Sequence, residues 1–217
     1  LGYFMREKAP NVALLEQFRA FIADGSNSVF ERAQLLGALG YAATKESLDV
    51  LIQVATTLSD NQIKQAAISQ IRSAASLRGD GTFHEELSPA LERVWRESHD
   101  QDLLPSVAVA IAKVGASAGI ELLISSALAS TSEKDTRARV AQRALSEVLN
   151  PHAVPILSEY LVDQPPTGAV AKLASSTLAN MGDATAANAL LNWIQKADES
   201  AAPLAHDYVV DTRNPTM

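Results

Sequence analysis

Four histidines are the side chains of this sequence best suited to bind a metal or to transfer a proton: His84, His99, His152 and His206. They fall in separate predicted helices or loops, and none has the helical arrangement of histidines or carboxylates that is typical of a zinc site. The run His84-Glu85-Glu86 is where a histidine adjoins carboxylates. We interpret it as a solvated helix start, because acidic side chains favour the first helical turn.

Nucleophiles and phosphate-binding loops are as poorly represented as metal ligands. No Gly-x-Ser-x-Gly elbow or Ser-x-x-Lys site stands in a suitable context, cysteine is absent, and the loop glycines Gly25, Gly79 and Gly81 are isolated. Trp95 and Trp193 are candidate aromatic platforms for a ligand, but their apolar helical neighbours favour packing in the core. We therefore predict no catalytic residue, cofactor site or metal site, and a protein that is not an enzyme.

A dense basic cluster is formed by Arg137, Arg139 and Arg143, with Lys134 close by. On a helix, Arg139 and Arg143 are four residues apart and share a face. One interpretation is a site for an anion or an acidic partner. The other, which we favour, is intrahelical pairing of Arg143 with Glu147 on a solvated ridge.

The composition of the 217 residues limits the classes of protein that the chain can represent. Apolar residues make up 47% and aromatic residues 5%, which suits closely packed, alanine-rich helices. The net charge of −7 and the pI near 5.1 argue against a nucleic-acid-binding surface spread over the whole chain. There is no run of 18 apolar residues, so no membrane span is predicted. The lack of cysteine fits a cytoplasmic or an exported protein.

A helix-terminating pattern recurs along the chain with a nearly constant period. Leu36-Gly37-Ala38-Leu39-Gly40 has counterparts at 111–115 and 178–182, a variant at 145–150 that closes with asparagine, and a degraded copy at 71–75. Their first apolar residues are 35, 40, 34 and 33 residues apart. A period in this range indicates a solenoid of helical units, each too small to bury its apolar face alone. The closing Gly or Asn is expected to take the left-handed conformation that ends a helix.

Apolar residues at three- and four-residue steps predict helices throughout and no strand. The predicted helices span 11–23, 28–39, 45–58, a segment capped by Asp60, 84–98, 102–114, 116–128, 133–149, 151–161, 168–181 and 184–197. Residues 1–199 are expected to form one continuous array and 200–217 a partly ordered tail. The helix at 11–23 lacks a partner in a regular unit, which suggests a piece of a longer solenoid.

The repeating pattern resembles HEAT repeats, of the kind also called PBS-lyase HEAT-like repeats. In that family a helix ends in Ala-Leu-Gly-x-Leu/Ile-Gly, and a second helix with paired leucines follows a short turn. Residues 36–40 followed by Leu51-Ile52 match this pattern, as do residues 178–182 followed by Leu190-Leu191. The resemblance covers residues 28–198 and implies an all-α fold, a right-handed α-α superhelix of about five helix pairs.

The resemblance also bears on activity. Deoxyhypusine hydroxylase has a similar architecture and binds iron through several His-Glu pairs, whereas this sequence has one such pair. DNA-glycosylase-like HEAT proteins use a basic cleft, whereas the second helices here are largely acidic, so we expect no nucleic-acid partner. Phycobilin lyase subunits are built from similar repeats, which keeps open the alternative of an accessory subunit or domain of an enzyme.

In a HEAT-type array the second helices line the concave side, so their polar residues outside the apolar stripes are candidates for binding a partner. These are Asp49, Gln53, Glu92, Arg96, Glu121, Ser125, Glu159 and Asn192. Four are acidic and one is basic, which predicts a partner with a basic or neutral polar surface and binding that weakens with salt. The alternative is a solubilising surface. We predict a non-enzymatic scaffold that binds a protein or peptide.

Overall fold

The computed structural model describes residues 12–77, 84–129, 135–162 and 168–196, and every regular element within them is helical. The helices are α1 (Val12–Ala23), α2 (Val29–Ala42), α3 (Lys45–Thr57), α4 (Asn61–Leu77), α5 (His84–Glu97), α6 (Leu104–Val114), α7 (Ser117–Leu128), α8 (Thr136–Leu145), α9 (Val154–Glu159), α10 (Ala169–Asn180) and α11 (Ala184–Lys196). A 3₁₀ turn at Pro151–Ala153 precedes α9. The predicted all-α fold is confirmed, while the predicted tail at 200–217 lies outside the described residues.

Two compact units divide the chain between Val114 and Gly115. In the first unit the helices pack in two layers. The A layer contains α2, α4 and α6, and α4 contacts both of the others; the B layer contains α1, α3 and α5, and α3 contacts both of the others. Contacts between the layers close a core in which Leu36, Leu51, Ile63 and Trp95 are almost completely buried. Each helix thereby removes its apolar stripe from water.

The second unit repeats this arrangement. Its B layer contains α7, α9 and α11, with α9 in contact with both of the others, and its A layer contains α8 and α10. α8 packs on α7, and α10 packs on α9 and α11. The core between them includes Ile120, Leu145, Leu157 and Leu190. In both units the core is largely aliphatic, as the composition predicts.

Polar side chains start several helices, among them the side chain of Asp60, the predicted cap. Ser28 caps α2, where its hydroxyl accepts a hydrogen bond from the Glu31 N–H at 3.2 Å and donates one to the Glu31 carboxylate at 2.7 Å. Asp60 caps α4 and Asp183 caps α11 by accepting backbone N–H groups of the first turn. These caps satisfy donors that a helix cannot pair internally.

Gly40 does not end its helix, contrary to the prediction. α2 continues to Ala42, and the left-handed residue that follows is Ala43, with φ 48°. A Cβ at Gly40 would lie 2.7 Å from the Cβ of Gln70 and 3.2 Å from its Cα. Glycine is therefore required at this position for the close approach of α2 and α4, and not for the turn.

The two later glycines of the pattern do take the left-handed conformation, as predicted. Gly115 follows α6 with φ 71°, and Gly182 comes shortly after α10 with φ 68°. The prediction that Asn150 ends a helix in the left-handed conformation, like these glycines, is wrong. α8 ends at Leu145, and Asn150 has φ −78°. The Asn150 side chain instead caps the 3₁₀ turn by accepting the His152 N–H at 3.1 Å.

Candidate partner-binding surface

Helix α3 carries two of the predicted partner-binding residues in the first unit. Asp49 and Gln53 are both exposed, whereas Leu48 and Leu51 of the same helix are buried. Because Asp49 and Gln53 are four residues apart, they share one face of α3. Asp49 makes no ion pair with any residue that the structure describes.

Glu92 of α5 corrects the prediction, since it is buried with 8% of its surface exposed. Its carboxylate accepts a hydrogen bond from the Ser88 hydroxyl at 2.8 Å and pairs with Arg96 at 3.3 Å. These bonds offset the cost of removing the carboxylate from water. The apolar stripe of α5 predicts burial on one face of the helix only. The helix contacts both α3 and α6, so Glu92, which lies off that stripe, is buried as well. Of the two predicted residues of α5, Arg96 alone is exposed.

A groove of about 320 Å³ lies between α1 and α3. It is lined by four residues of α1, three of α3 and the residue that follows α3: Glu16, Arg19, Ala20, Ala23, Gln53, Val54, Thr57 and Leu58. Val54 is buried and Leu58 half-buried, so they form an apolar floor between polar rims. Gln53 is the predicted residue that lies in this groove.

Arg19 links the two rims of the groove. Its guanidinium donates one hydrogen bond to the Gln53 Oε1 at 2.9 Å and another to the Glu16 carboxylate. An ion pair this exposed adds little stability, but the two bonds hold the three side chains in one arrangement. One turn further along α3, the Thr57 hydroxyl donates to the Gln53 carbonyl at 2.8 Å.

In the second unit, Glu121, Ser125, Glu159 and Asn192 are all exposed, as predicted. Glu121 lies on α7 and Glu159 at the end of α9, and these two helices are in contact. Burial raises the pKa of the Tyr160 phenol above its usual value of 10.0, and the negative charges of Glu121 and Glu159 raise it further. The fold thus brings two predicted carboxylates from separate helices to one tyrosine.

The second candidate patch lies on α8. Arg139 and Arg143 are exposed, and Arg137 is half-buried. Asp135 caps this helix by accepting the N–H groups of Arg137 and Ala138. The helix ends at Leu145, four residues earlier than predicted, so Glu147 lies in the turn that follows and not on the helix beside Arg143.

One run of the sequence has the spacing of a catalytic serine motif. The run 115–119 has the spacing Gly-x-Ser-x-Gly, but it joins two helices, and Ser117 opens α7 without the strand that precedes a nucleophile elbow.

Among the described residues, no three histidine or acidic side chains form a group able to hold a metal ion. The side chains of His84, Glu85 and Glu86 lie outside that description. None of the described helices is both long and apolar enough to cross a membrane.

Sequence reasoning missed Glu16 and Arg19, which complete the groove with Gln53. Their three-residue spacing on α1 is a local signal for an intrahelical pair. The hydrogen bond from Arg19 to Gln53 joins residues 34 positions apart, and no local pattern predicts such a contact.

No known protein family matches the chain, and a search of curated proteins finds no match. Among solved structures, the chain is similar to the complex of CpcE and CpcF of phycocyanin lyase from Nostoc sp. PCC7120. The identity is 17%, the match covers 98% of this chain and 80% of that chain, and the TM-score is 0.47. It is also similar to human deoxyhypusine hydroxylase in complex with glycerol, at 12% identity, with 96% and 94% of the two chains covered and a TM-score of 0.32.

These structures correct one prediction and agree with another. The expectation that the protein is not an enzyme is contradicted, because one similar structure is part of a phycocyanin lyase and the other is a hydroxylase. Both are HEAT-like helical repeat proteins, in agreement with the helix pairs described above and with the resemblance found in the sequence. The paired helices described above give this chain an all-α helical-repeat fold, as the pattern in the sequence predicts.

Proposed function

We propose that this chain is a protein-binding module that holds a partner on exposed polar faces of its B-layer helices, with each unit offering a separate surface. One observation carries the proposal. Three carboxylates on those helices, Asp49 in the first unit and Glu121 and Glu159 in the second, are exposed and make no ion pair with any described residue. Carboxylates that pair with no cation among the described residues keep their capacity to pair with one on a second molecule.

The partner presents a basic or neutral polar surface to these helices. Around Tyr160, the carboxylates of Glu121 and Glu159 create a locally negative site that favours lysine or arginine side chains. The half-buried phenol ring adds an amphipathic surface of the kind enriched in protein interfaces. Binding at this site weakens as salt screens the charges.

Charge reversal tests the proposal. The full-length protein, its Glu121→Lys/Glu159→Lys variant and an Asp102→Lys control are used to capture proteins from a lysate of the source cells. Asp102 is an exposed carboxylate in the turn before α6, outside the B layer, so the control changes charge without touching the proposed surface. Circular dichroism first establishes that all three proteins are folded.

We expect one partner to be captured by the wild type and by the control, and to be lost or strongly reduced with the double variant. Equal capture by all three proteins would exclude the surface around Tyr160 and direct attention to Arg137, Arg139 and Arg143. Failure of every form to retain any protein would argue against the binding function itself. If the captured partner is an enzyme, the chain is its accessory subunit.

A further inference from the structure

The groove between α1 and α3 has hydrogen-bonding groups that no described residue uses. Arginine carries donors and no acceptor, so the Gln53 carboxamide must turn its oxygen toward Arg19. The two N–H donors of Gln53 Nε2 then find no acceptor among the described residues. An arrangement fixed in this way presents a donor to any molecule that enters the groove.

Acceptors lie beside this donor. The Thr57 hydroxyl gives its proton to the Gln53 carbonyl, which leaves its oxygen able to accept. Glu16 uses one carboxylate oxygen for Arg19 and keeps the other. Gln53 and Thr57 are four residues apart on α3 and therefore share a face. A donor beside an acceptor matches one residue of an extended peptide, whose N–H and C=O point to the same side.

The charge and the apolar floor of the groove limit the chemical class of the ligand further. Glu16 and Arg19 neutralise each other, so a charged group in the groove would find no unpaired countercharge and would lose hydration without compensation. The floor combines Val54 and Leu58 with the small side chains of Ala20 and Ala23. Small residues beside an apolar floor leave room for an aliphatic side chain.

We infer that the groove between α1 and α3 binds an uncharged, extended peptide segment of a partner protein. The C=O and the N–H of one residue of the segment are held by Gln53 and Thr57, and one aliphatic side chain lies on Val54 and Leu58. This inference rests on the proposed protein-binding function, because it names the kind of segment that the B layer of the first unit binds.

A minimal ligand tests the site without knowledge of the partner. The probe is N-acetyl-L-leucine N-methylamide, which combines peptide groups with one aliphatic side chain and carries no charge. It is titrated into the full-length, isotope-labelled protein and followed by NMR. We expect shifts confined to α1 and α3, with the Gln53 side-chain amide among the most affected. The affinity should not change between low and high salt, because the ligand has no charge to screen.

Two variants and a matched control make the result specific. Gln53→Glu keeps an oxygen for Arg19 but removes the Nε2 donor, so we expect about fivefold weaker binding, the effect of one lost hydrogen bond. Ala20→Phe, at an exposed residue of the groove, should abolish binding by filling the space. Gln34→Glu, an equally exposed glutamine on α2, should bind like the wild type.

Other outcomes overturn the inference. Unchanged affinity in Gln53→Glu or in Ala20→Phe would show that the probe binds elsewhere. Shifts at Arg19 with sodium acetate, but none with the uncharged probe, would identify an anion site instead. If the probe fails to bind while capture of a partner still depends on Glu121 and Glu159, the groove inference fails and the proposed function stands. If the probe binds but no partner is captured, the groove inference stands and the proposed function fails.

Discussion

Arg32 and Asp60 form a salt bridge at 2.8 Å although the Arg32 side chain is only 4% exposed. The Arg32 Nε also donates to the Ile22 carbonyl, one residue before the end of α1, at 2.7 Å. Asp60 in turn accepts the Gln62 and Ile63 N–H groups that start α4. One buried guanidinium on α2 therefore satisfies the end of one helix and orients the cap of another.

Removing this guanidinium should destabilise the protein. In Arg32→Met the aliphatic part of the side chain is kept, while the Ile22 carbonyl and the Asp60 carboxylate lose their donor. We expect a loss of about 2–3 kcal/mol in the free energy of unfolding, below the range for a wholly buried pair because the Asp60 side chain is 34% exposed. Urea denaturation measures it. Asp60→Asn keeps one oxygen for the cap of α4 but turns an NH2 group toward Arg32, whose buried charge is left unpaired, so it should lose a comparable amount, about 2–3 kcal/mol. A loss close to zero in either variant would contradict this assignment.

The same pair makes stability depend on pH. Partial burial tends to raise the pKa of Asp60, but hydrogen bonds from the Ile63 N–H and from Arg32, with the Arg32 charge, lower it below its usual 3.8. A carboxyl whose pKa is lowered in the folded state stabilises that state above the unfolded pKa and loses the effect as pH falls through the folded pKa. The stability difference between wild type and Asp60→Asn should therefore be constant from pH 7 to 5 and shrink below 3.8. A difference that stayed the same at pH 3 would refute it.

Two glycines of α2 should respond oppositely to the same substitution. Gly40→Ala places a methyl group 2.7 Å from the Gln70 Cβ, and we expect a loss of about 1–3 kcal/mol as α4 is pushed away. At Gly37 a Cβ meets nothing within 4 Å, so Gly37→Ala should gain about 0.5–1 kcal/mol from helix propensity. Thermal unfolding of both variants measures the contrast. Equal effects would mean that α2 and α4 are not in close contact at Gly40.

The glycines with positive φ offer a second matched pair. Gly182→Ala meets no atom within 4 Å, so its cost should be the strain of the left-handed conformation alone, about 1–2 kcal/mol. Gly115→Ala carries the same strain and also places its Cβ 2.7 Å from the Asn150 Cβ. We expect the larger loss of stability at Gly115, measured by urea denaturation. A greater loss at Gly182 would exclude the close packing of Asn150 on Gly115.

What the sequence predicted well depends on short-range physics. Helices follow from apolar residues at three- and four-residue steps, and a cap such as Asp60 involves neighbours in the first turn. Gly115 and Gly182 were predicted correctly because a helix reversal at that point needs φ above zero.

What it missed depends on neighbours that are distant in sequence. Gly40 has the same local pattern as Gly115, but its role is set by Gln70 on α4. Glu92 lies outside its own apolar stripe and is nevertheless buried, because α5 has neighbours on two sides. The groove joins Arg19 to Gln53 across two helices. Each of these features is decided by packing, which a periodic pattern does not specify.

The position of α4 within the first unit has a kinetic consequence. It contacts α2, α3 and α6, none of them more than two helices away along the chain, so these contacts close loops of moderate length. Opening α4 requires the loss of contacts in both layers, whereas the well-packed neighbours of α1 among the described helices are α2 and α3. Backbone amides of α4 should therefore be the last in this unit to exchange with deuterated water, and those of α1 among the first.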